Sequence, residues 1–253
     1  MNERMADIPA PQGTMDAFIT HPEQGGPFPA VVIYMDLWGL REELFDIARR
    51  VATAGYYCVV PNLFYRQGKI RHEFRDEKGR MISLDRLDQE KQERVRAPWR
   101  ALNNGLVVED TRHIMDFIDA DPAARRGPMG AIGYCMGGRY VCCVAGHYPE
   151  RFRAGASMHG TALVTDKPDS PHLRAAAIRG ELYCGFAEND RGAPPAMVDA
   201  FATAMKASSA KYSYRVHEGA AHGYALPDRD IADKQAMNRD WEVILPMLQR
   251  TLA

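Results

Sequence analysis

The sequence predicts an α/β fold built on a mostly parallel, doubly wound sheet that is flanked by helices. Short apolar segments alternate repeatedly with stretches of helical periodicity, as in consecutive β-α-β units. The apolar segments, such as residues 30–35, are continuous and rich in β-branched residues, which is typical of strands covered on both faces. The length of 253 residues suffices to bury such a sheet, and we expect a single domain over residues 1–253.

The first half of the chain contains one complete β-α-β unit. Residues 13–20 are expected to form a short edge strand, as one half of a hairpin, and residues 30–35 the next strand. A helix is predicted over residues 43–53, where apolar side chains recur every three or four positions, and Gly55 is suited to end it. Residues 57–60 form the following strand. Such short connections are typical of parallel strands joined by right-handed crossovers.

The second half repeats the alternation. Apolar runs predict four further strands, at residues 129–133, 154–158, 182–187 and 212–216. Helical periodicity predicts helices at residues 111–118, 137–146, 195–207 and 235–252.

The stretch from residue 66 to about residue 104 interrupts this pattern. It is very polar, carries both charge signs and has few apolar anchors, so it is predicted to be a polar insertion within the domain. Two interpretations stay open. The segment is either a solvated helix or surface insertion, or a lid or pocket wall, since long segments of this kind in compact domains are often functional.

Composition excludes several classes of protein. The net charge of -1 provides no global field that would favour nucleic acid or anionic lipid, so neither is expected as a partner. We see no signal peptide and no apolar run of about 18 residues, and we expect a cytoplasmic protein without a membrane partner. The five cysteines are odd in number and lack CxxC spacing, which favours free thiols and predicts no metal site. No cofactor is expected.

The strongest local signal is the pentapeptide Gly133-Tyr-Cys-Met-Gly137, which is followed by Gly138. It has the form of a nucleophile elbow in which cysteine replaces the usual serine. Small residues two positions before and after Cys135 permit a sharp strand-to-helix turn. The helix that begins there directs its free N–H groups and positive dipole end at the thiol, which favours the thiolate. The alternative is that Cys135 is a small buried apolar residue.

A cysteine nucleophile needs a base and an acid that orients it. His222 lies in Gly219-Ala-Ala-His-Gly223 after the last predicted strand, where the chain order of hydrolases with this elbow requires the base. Asp190 follows the strand between elbow and histidine, so it is predicted to accept the imidazole N–H and fix the tautomer. His217 and Glu188 are the respective alternatives.

Two backbone N–H groups are predicted to form the oxyanion hole. One belongs to Met136, directly after the nucleophile, and the other to Leu37, in the loop after an early strand. Asp36 stands beside that loop, where an acid is unusual unless it contacts the site. His159, at the end of a strand, is a candidate for lining the pocket, with a hydrogen-bonded structural role as the alternative.

These motifs resemble the dienelactone hydrolase family, the carboxymethylenebutenolidases. The similarity rests on the elbow, on residues 61–66 and on the Ala-His-Gly-Tyr-Ala segment around His222, and it extends over about residues 14–250. It implies an α/β-hydrolase fold and a Cys-His-Asp triad that hydrolyses a small-molecule ester or lactone through an acyl-cysteine. It also implies that Asp36 takes the place of a glutamate that can contact the resting thiol. Arginines hold a substrate carboxylate in this family, and Arg229 is a candidate.

Serine is the usual nucleophile for ester hydrolysis, so a cysteine points to a good leaving group such as the enolate of an enol lactone. One alternative keeps the fold and makes the protein a general carboxylesterase or thioesterase. Another makes it a non-catalytic relative that binds a ligand. The sequence gives no indication of the oligomeric state.

Overall fold

The computed structural model describes residues 1–252, and its centre is one twisted sheet. Within these residues eight strands form the sheet: β1 (Asn2–Ala10), β2 (Gly13–His21), β3 (Phe28–Tyr34), β4 (Tyr57–Pro61), β5 (Ala124–Tyr134), β6 (Phe152–Met158), β7 (Glu181–Asn189) and β8 (Lys211–Ala221). The α-helices of the same residues are α1 (Glu42–Thr53), α2 (Gln89–Arg100), α3 (Asn104–Ala120), α4 (Met136–His147), α5 (Pro195–Met205) and α6 (Lys234–Leu252). Short 3₁₀ turns occupy Tyr65–Gln67, Leu84–Arg86 and Pro171–Ala177.

The sheet order is β1-β2-β4-β3-β5-β6-β7-β8. The first two strands pair antiparallel, as do β2 and β4, while every pair from β4 through β8 is parallel. The predicted α/β class with a mostly parallel sheet is thus confirmed. After β3 the chain continues to one side of the sheet and after β5 to the other, so the loops that follow β3 and β5 lie next to each other. Ligands of open α/β sheets bind at such a reversal.

The predicted hairpin is present, but the prediction that residues 13–20 form an edge strand is wrong. Strand β1 pairs with β2 from Asn2 to Ala10 and forms the edge instead. Its polar, largely exposed residues contribute mainly Ile8 to the core, so no apolar alternation marks the strand in the sequence.

The other predicted elements are found, most of them with longer bounds, but α5 ends at Met205, two residues before its predicted end. Helix α3 begins seven residues before its prediction, because the Asn103 side chain accepts the N–H of Leu106 at 2.8 Å and caps it. Strand β8 extends to Ala221, so that His222 is the first residue beyond it. The five cysteines are free and buried. None of the helices in residues 1–252 has the length and apolar character needed to cross a bilayer.

The polar insertion contains α2 and packs onto the domain through a small apolar cluster of its own. Met81, Leu87 and Val95 surround the indole of Trp38, which lies in the loop after β3. Few side chains of the insertion are fully buried in this cluster, as expected, and their shared contact with Trp38 packs the segment against the rest of the domain.

Backbone pairing and one buried carboxylate fasten the insertion to the loop that follows His222. Met81 donates its N–H to the carbonyl of Asp228 at 2.7 Å and accepts from the N–H of Asp230 at 3.0 Å. The buried carboxylate of Asp230 accepts from the N–H and hydroxyl of Ser83 at 3.1 and 2.6 Å and pairs with Arg86. The insertion thus bridges two loops at the carboxyl edge of the sheet, which favours a pocket wall over a free surface segment.

Replacing Asp230 by alanine should release the insertion before the rest of the fold. The substitution leaves the buried N–H and hydroxyl of Ser83 without an acceptor, at a cost of about 2–4 kcal/mol. We expect trypsin to cleave within residues 66–100 several times faster than in the unmodified protein.

The matched control is Asp233→Ala, which removes the carboxylate that caps the start of α6 through the N–H groups of Gln235 and Ala236. It should lower stability by about 1 kcal/mol without faster cleavage in the insertion. Equal cleavage rates for Asp230→Ala and the unmodified protein would contradict this role of Asp230.

Candidate active site

The turn between β5 and α4 places Cys135 in a strained backbone conformation. Its φ is 58° and its ψ is -117°, a region that residues with a side chain rarely adopt. A Cβ on Gly133 would lie 2.1 Å from the carbonyl oxygen of Gly137, and one on Gly137 would lie 2.3 Å from that of Tyr34. Only glycine fits both positions, which explains the G-x-C-x-G spacing and confirms the sharp elbow.

The structure brings Cys135, His222 and Asp190 together from three different loops. The Nε2 of His222 lies 3.1 Å from the Sγ of Cys135, and its Nδ1 lies 2.6 Å from the Oδ2 of Asp190. Asp190 is itself fixed, because its Oδ1 accepts the N–H of Gly192 at 2.7 Å. These distances allow a proton to pass between sulfur and imidazole while the carboxylate fixes the orientation of the ring.

The two alternatives for base and acid lie elsewhere. His217 is buried within β8, and its Nε2 lies 2.7 Å from the Oδ1 of Asp240. Glu188 is exposed and accepts the N–H of Gly219 at 2.8 Å.

The surroundings of His222 favour its protonated form. Burial alone would lower the pKa of His222, but the charge of Cys135 and the hydrogen bonds to Asp190 and Cys135 raise that pKa to about 10. At neutral pH the raised pKa therefore favours the protonated imidazole ring of His222.

The two predicted oxyanion donors lie where the elbow meets the loop after β3. Met136 is the first residue of α4, so its N–H has no partner within the helix. The tight contact of Gly137 with the carbonyl groups of Tyr34 and Met35 brings the start of α4 against the segment that leads to Leu37. Leu37 is half-buried there. The role of both N–H groups stays a prediction.

Asp36 is fully buried and bound to Arg41 rather than to the thiol. Its two oxygens accept from the Arg41 guanidinium at 2.6 and 3.1 Å, and Oδ1 also accepts the N–H of Trp38 at 3.1 Å. Arg41 in turn binds Asp228 at 2.6 and 3.2 Å. Within residues 1–252 no hydrogen bond joins Asp36 to Cys135.

Arg229 is a buried cation with few partners. Its guanidinium lies 3.8 Å from the Oδ2 of Asp36 and 4.8 Å from the ring centre of Trp38, but its side chain donates no hydrogen bond to any of residues 1–252. Burial lowers the pKa of Arg229, while the charges of Asp36 and Cys135 act to raise it. A buried guanidinium with unused donors is suited to bind an anionic group.

His159 lies under the elbow. Its Nδ1 accepts the N–H of Cys135 at 3.1 Å, so its proton is on Nε2, and the ring stands edge-on to His222 with 5.0 Å between centres. Burial, and then the charges of His222 and Arg229, hold the pKa of His159 well below its usual value, which keeps the ring neutral. His159 is thus hydrogen-bonded to the nucleophile's backbone, as in the structural alternative. Whether it also contacts substrate stays a prediction.

Sequence reasoning missed Arg41, whose guanidinium pairs with Asp36, and Asp228, which binds the same guanidinium and helps to hold it in place. The sequence contains only a weak signal that these two residues could form ion pairs. Asp228 lies in the alternating segment Asp-Arg-Asp at residues 228–230, and Arg41 directly precedes α1. No group of three or more His, Cys, Asp or Glu side chains in the described part of the chain is arranged to hold a metal ion.

The comparisons with known proteins agree on one family. Residues 15–252 match the model of the dienelactone hydrolase family. A protein of Methylorubrum extorquens named "Putative carboxymethylenebutenolidase" is 26% identical over 239 residues, which cover 93% of this chain and 76% of the relative. The crystal structure titled "Putative Dienelactone Hydrolase" from Klebsiella pneumoniae superposes with a TM-score of 0.83 at 20% identity and 98% coverage of both chains. A metagenomic dienelactone hydrolase-like promiscuous phosphotriesterase superposes with a TM-score of 0.75 at 16% identity, with 100% of this chain and 99% of that one covered.

The titration of His222 should depend on Cys135 and Asp190. We expect NMR spectra of the imidazole to show a protonated ring up to about pH 10. In Cys135→Ala and in Asp190→Asn the midpoint should fall by at least about one pH unit, because each change removes a group that stabilises the imidazolium. The signal is assigned by its loss in His222→Gln. An unchanged midpoint in Cys135→Ala would show that the sulfur carries no charge beside the ring.

The same shift predicts how the pair contributes to stability as the pH changes. The folded-state pKa of about 10 lies above that of a free imidazole, about 6.5. The contribution is therefore complete below about pH 6.5 and is lost as the pH rises through 10. Cys135→Ala should flatten the corresponding part of a denaturant-derived stability profile.

Proposed function

Because this chain belongs to the dienelactone hydrolase family and is a hydrolase, we propose that it cleaves an ester or lactone with Cys135 as nucleophile. His222 is the base, and Asp190 orients it. One observation carries the proposal: the hydrogen-bond distances of 2.6 and 3.1 Å that run from Asp190 through His222 to the thiol at the elbow. The family supports a small-molecule substrate, and the continuous sheet supports one domain.

The first half of the proposed cycle forms an acyl-cysteine. The Cys135 thiolate, stabilised by the His222 imidazolium, attacks the carbonyl carbon, and the carbonyl electrons move to oxygen. The N–H groups of Met136 and Leu37 stabilise that oxyanion. When the carbonyl re-forms, the C–O bond to the leaving group breaks, and the leaving oxygen takes the proton from His222.

The second half releases the acid. His222 removes a proton from water, and the resulting hydroxide attacks the thioester carbonyl. Collapse of the tetrahedral intermediate breaks the C–S bond and returns the thiolate beside the imidazolium. Asp190 keeps the same ring nitrogen directed at the site in both halves.

The nucleophile and Arg229 favour a carboxylate-bearing lactone over a neutral ester. A thiolate is displaced from a tetrahedral intermediate more readily than an alkoxide, so a cysteine enzyme does best with a stabilised leaving group such as an enolate. Arg41 is saturated by Asp36 and Asp228, whereas the Arg229 side chain has no hydrogen bond within residues 1–252 and is the guanidinium suited to a substrate carboxylate.

Two other functions fit the chain less well. A general carboxylesterase or thioesterase with the same triad would have no use for a buried guanidinium near the nucleophile. A non-catalytic binding relative would have no need of the strained elbow, which costs folding energy and is retained where it serves a site.

Replacing Cys135 by alanine should abolish the reaction. We expect kcat on an enol lactone to fall by at least about 10³-fold, because the remaining groups cannot supply a nucleophile. A slow ester substrate should add its acyl mass to the Cys135 peptide of the unmodified protein, as seen by mass spectrometry. Cys143→Ala, which removes another buried thiol from α4, is the control and should leave both results unchanged. Full activity of Cys135→Ala would refute the mechanism.

Replacing Arg229 by methionine should discriminate between substrate classes. Loss of a charge-assisted pair of hydrogen bonds should raise KM for a carboxylate-bearing lactone about 10- to 100-fold and leave kcat/KM for a neutral aryl ester within about threefold. Arg250→Met removes an arginine of α6 that binds Glu181 on β7, and it should affect neither substrate. Equal losses on both substrates in Arg229→Met would show that Arg229 supports the fold and does not select the carboxylate.

A further inference from the structure

A buried carboxylate behind the catalytic loop accepts three hydrogen bonds. Asp240 on α6 binds the hydroxyl of Tyr183 at 2.6 Å, the Nε2 of His217 at 2.7 Å and the hydroxyl of Tyr224 at 2.8 Å. We call these four residues the Asp240 cluster. All four are at most 2% exposed, and none of them belongs to the proposed triad. A buried charge is tolerated only when it is hydrogen-bonded in this way, so the positions of its donors are strongly fixed.

Tyr224 connects this cluster to the base, because it follows His222 by two residues. Its ring is fully buried and packs against His217, with 4.9 Å between ring centres, and against His159, with 5.6 Å. The backbone is held as well, since the N–H of Tyr224 donates to the carbonyl of Ala221 at 3.0 Å.

Gly185 on β7 lies between the Asp240 cluster and His159, and it contacts both. A Cβ at this position would lie 2.4 Å from the hydroxyl oxygen of Tyr224 and 3.0 Å from the Oδ1 of Asp240. The carbonyl of Gly185 accepts the N–H of His159 at 2.7 Å, and His159 accepts the N–H of Cys135. The Tyr224 hydroxyl thus has little room to move without disturbing the support of the nucleophile.

The loop that carries His222 needs such support. Two glycines lie near His222, Gly219 close to the end of β8 and Gly223 directly after the histidine, with φ values of 71° and 100°, and the His222 side chain remains 31% exposed. Glycines permit conformations that other residues do not, so these two positions restrain the backbone around His222 only weakly. Asp190 restrains only the ring.

We infer that Tyr224 is a positioning residue, and that its hydroxyl bond to Asp240 holds the loop so that the Nε2 of His222 stays within reach of the Cys135 sulfur. The inference rests on the proposed triad. Tyr224 touches no reacting atom; it acts through the backbone of the loop and through the packing of His159.

Tyr224→Phe and Tyr183→Phe form a matched pair for testing this role. Each removes one buried hydroxyl that donates to Asp240, but Tyr183 lies on β7, outside the loop that carries His222. Two readouts are measured: kcat and KM on the ester or lactone, and the rate at which iodoacetamide alkylates Cys135 at pH 7, followed by peptide mass spectrometry. Alkylation needs the thiolate but no substrate.

We expect Tyr224→Phe to lower kcat about tenfold with KM within about twofold, and to slow alkylation of Cys135 about 3- to 10-fold. Tyr183→Phe should stay within about twofold on every readout, although both variants should melt at similarly reduced temperatures. Equal effects of the two variants, or no effect of Tyr224→Phe, would overturn the inference, because the hydroxyl would then serve stability alone.

His222→Ala separates this inference from the function on which it rests. If His222→Ala alkylates as fast as the unmodified protein, the triad is wrong and the inference falls with it. If His222→Ala is slow while Tyr224→Phe is not, the triad stands and only the positioning role is lost. Asp240→Asn, which keeps the shape of the side chain, replaces Tyr224→Phe should that variant not fold, and it should slow alkylation in the same way.

Discussion

The turn at Cys135 is the constraint on which the rest of the site depends. With φ at 58°, the backbone reverses so sharply between β5 and α4 that Gly133 and Gly137 nearly touch, and no side chain fits between them. The turn places the sulfur at the carboxyl edge of the sheet, beside the loop after β3, because the order of strands reverses there. The loops after β7 and β8 then need only short extensions to bring Asp190 and His222 to it.

Around this turn, the buried charged groups are hydrogen-bonded to one another, with one exception. His222 lies between a thiol at its Nε2 and a carboxylate at its Nδ1, and its raised pKa reflects both partners. Arg41 holds Asp36 and Asp228 in a closed ion-pair network. Arg229, by contrast, has a 3.8 Å ion pair and an indole face but no hydrogen bond within residues 1–252. Burial without full pairing is unfavourable in the free protein, and an anionic substrate group would relieve it.

The support of the site extends well beyond the groups that touch substrate. The insertion over residues 66–104 binds the loop that carries Arg229, and the Asp240 cluster lies beneath the loop that carries His222. Both loops belong to one segment between β8 and α6. Asp230 binds this segment to the insertion, and Tyr224 binds it to Asp240 on α6. This connection is thereby held at two points, as a reaction that tolerates little displacement requires.

The sequence by itself determined the α/β class, the elbow and the proximity of Cys135, His222 and Asp190. These follow from periodicity, from glycine spacing and from chain order, which are local or topological properties. Tertiary structure alone decided that Asp36 binds Arg41 and that β1, not β2, forms the sheet edge. The reason is physical: the partner of a buried charge is whichever group the fold brings near it, and Asp228 reaches Arg41 from 187 residues away. Spacing along the chain records no such contact.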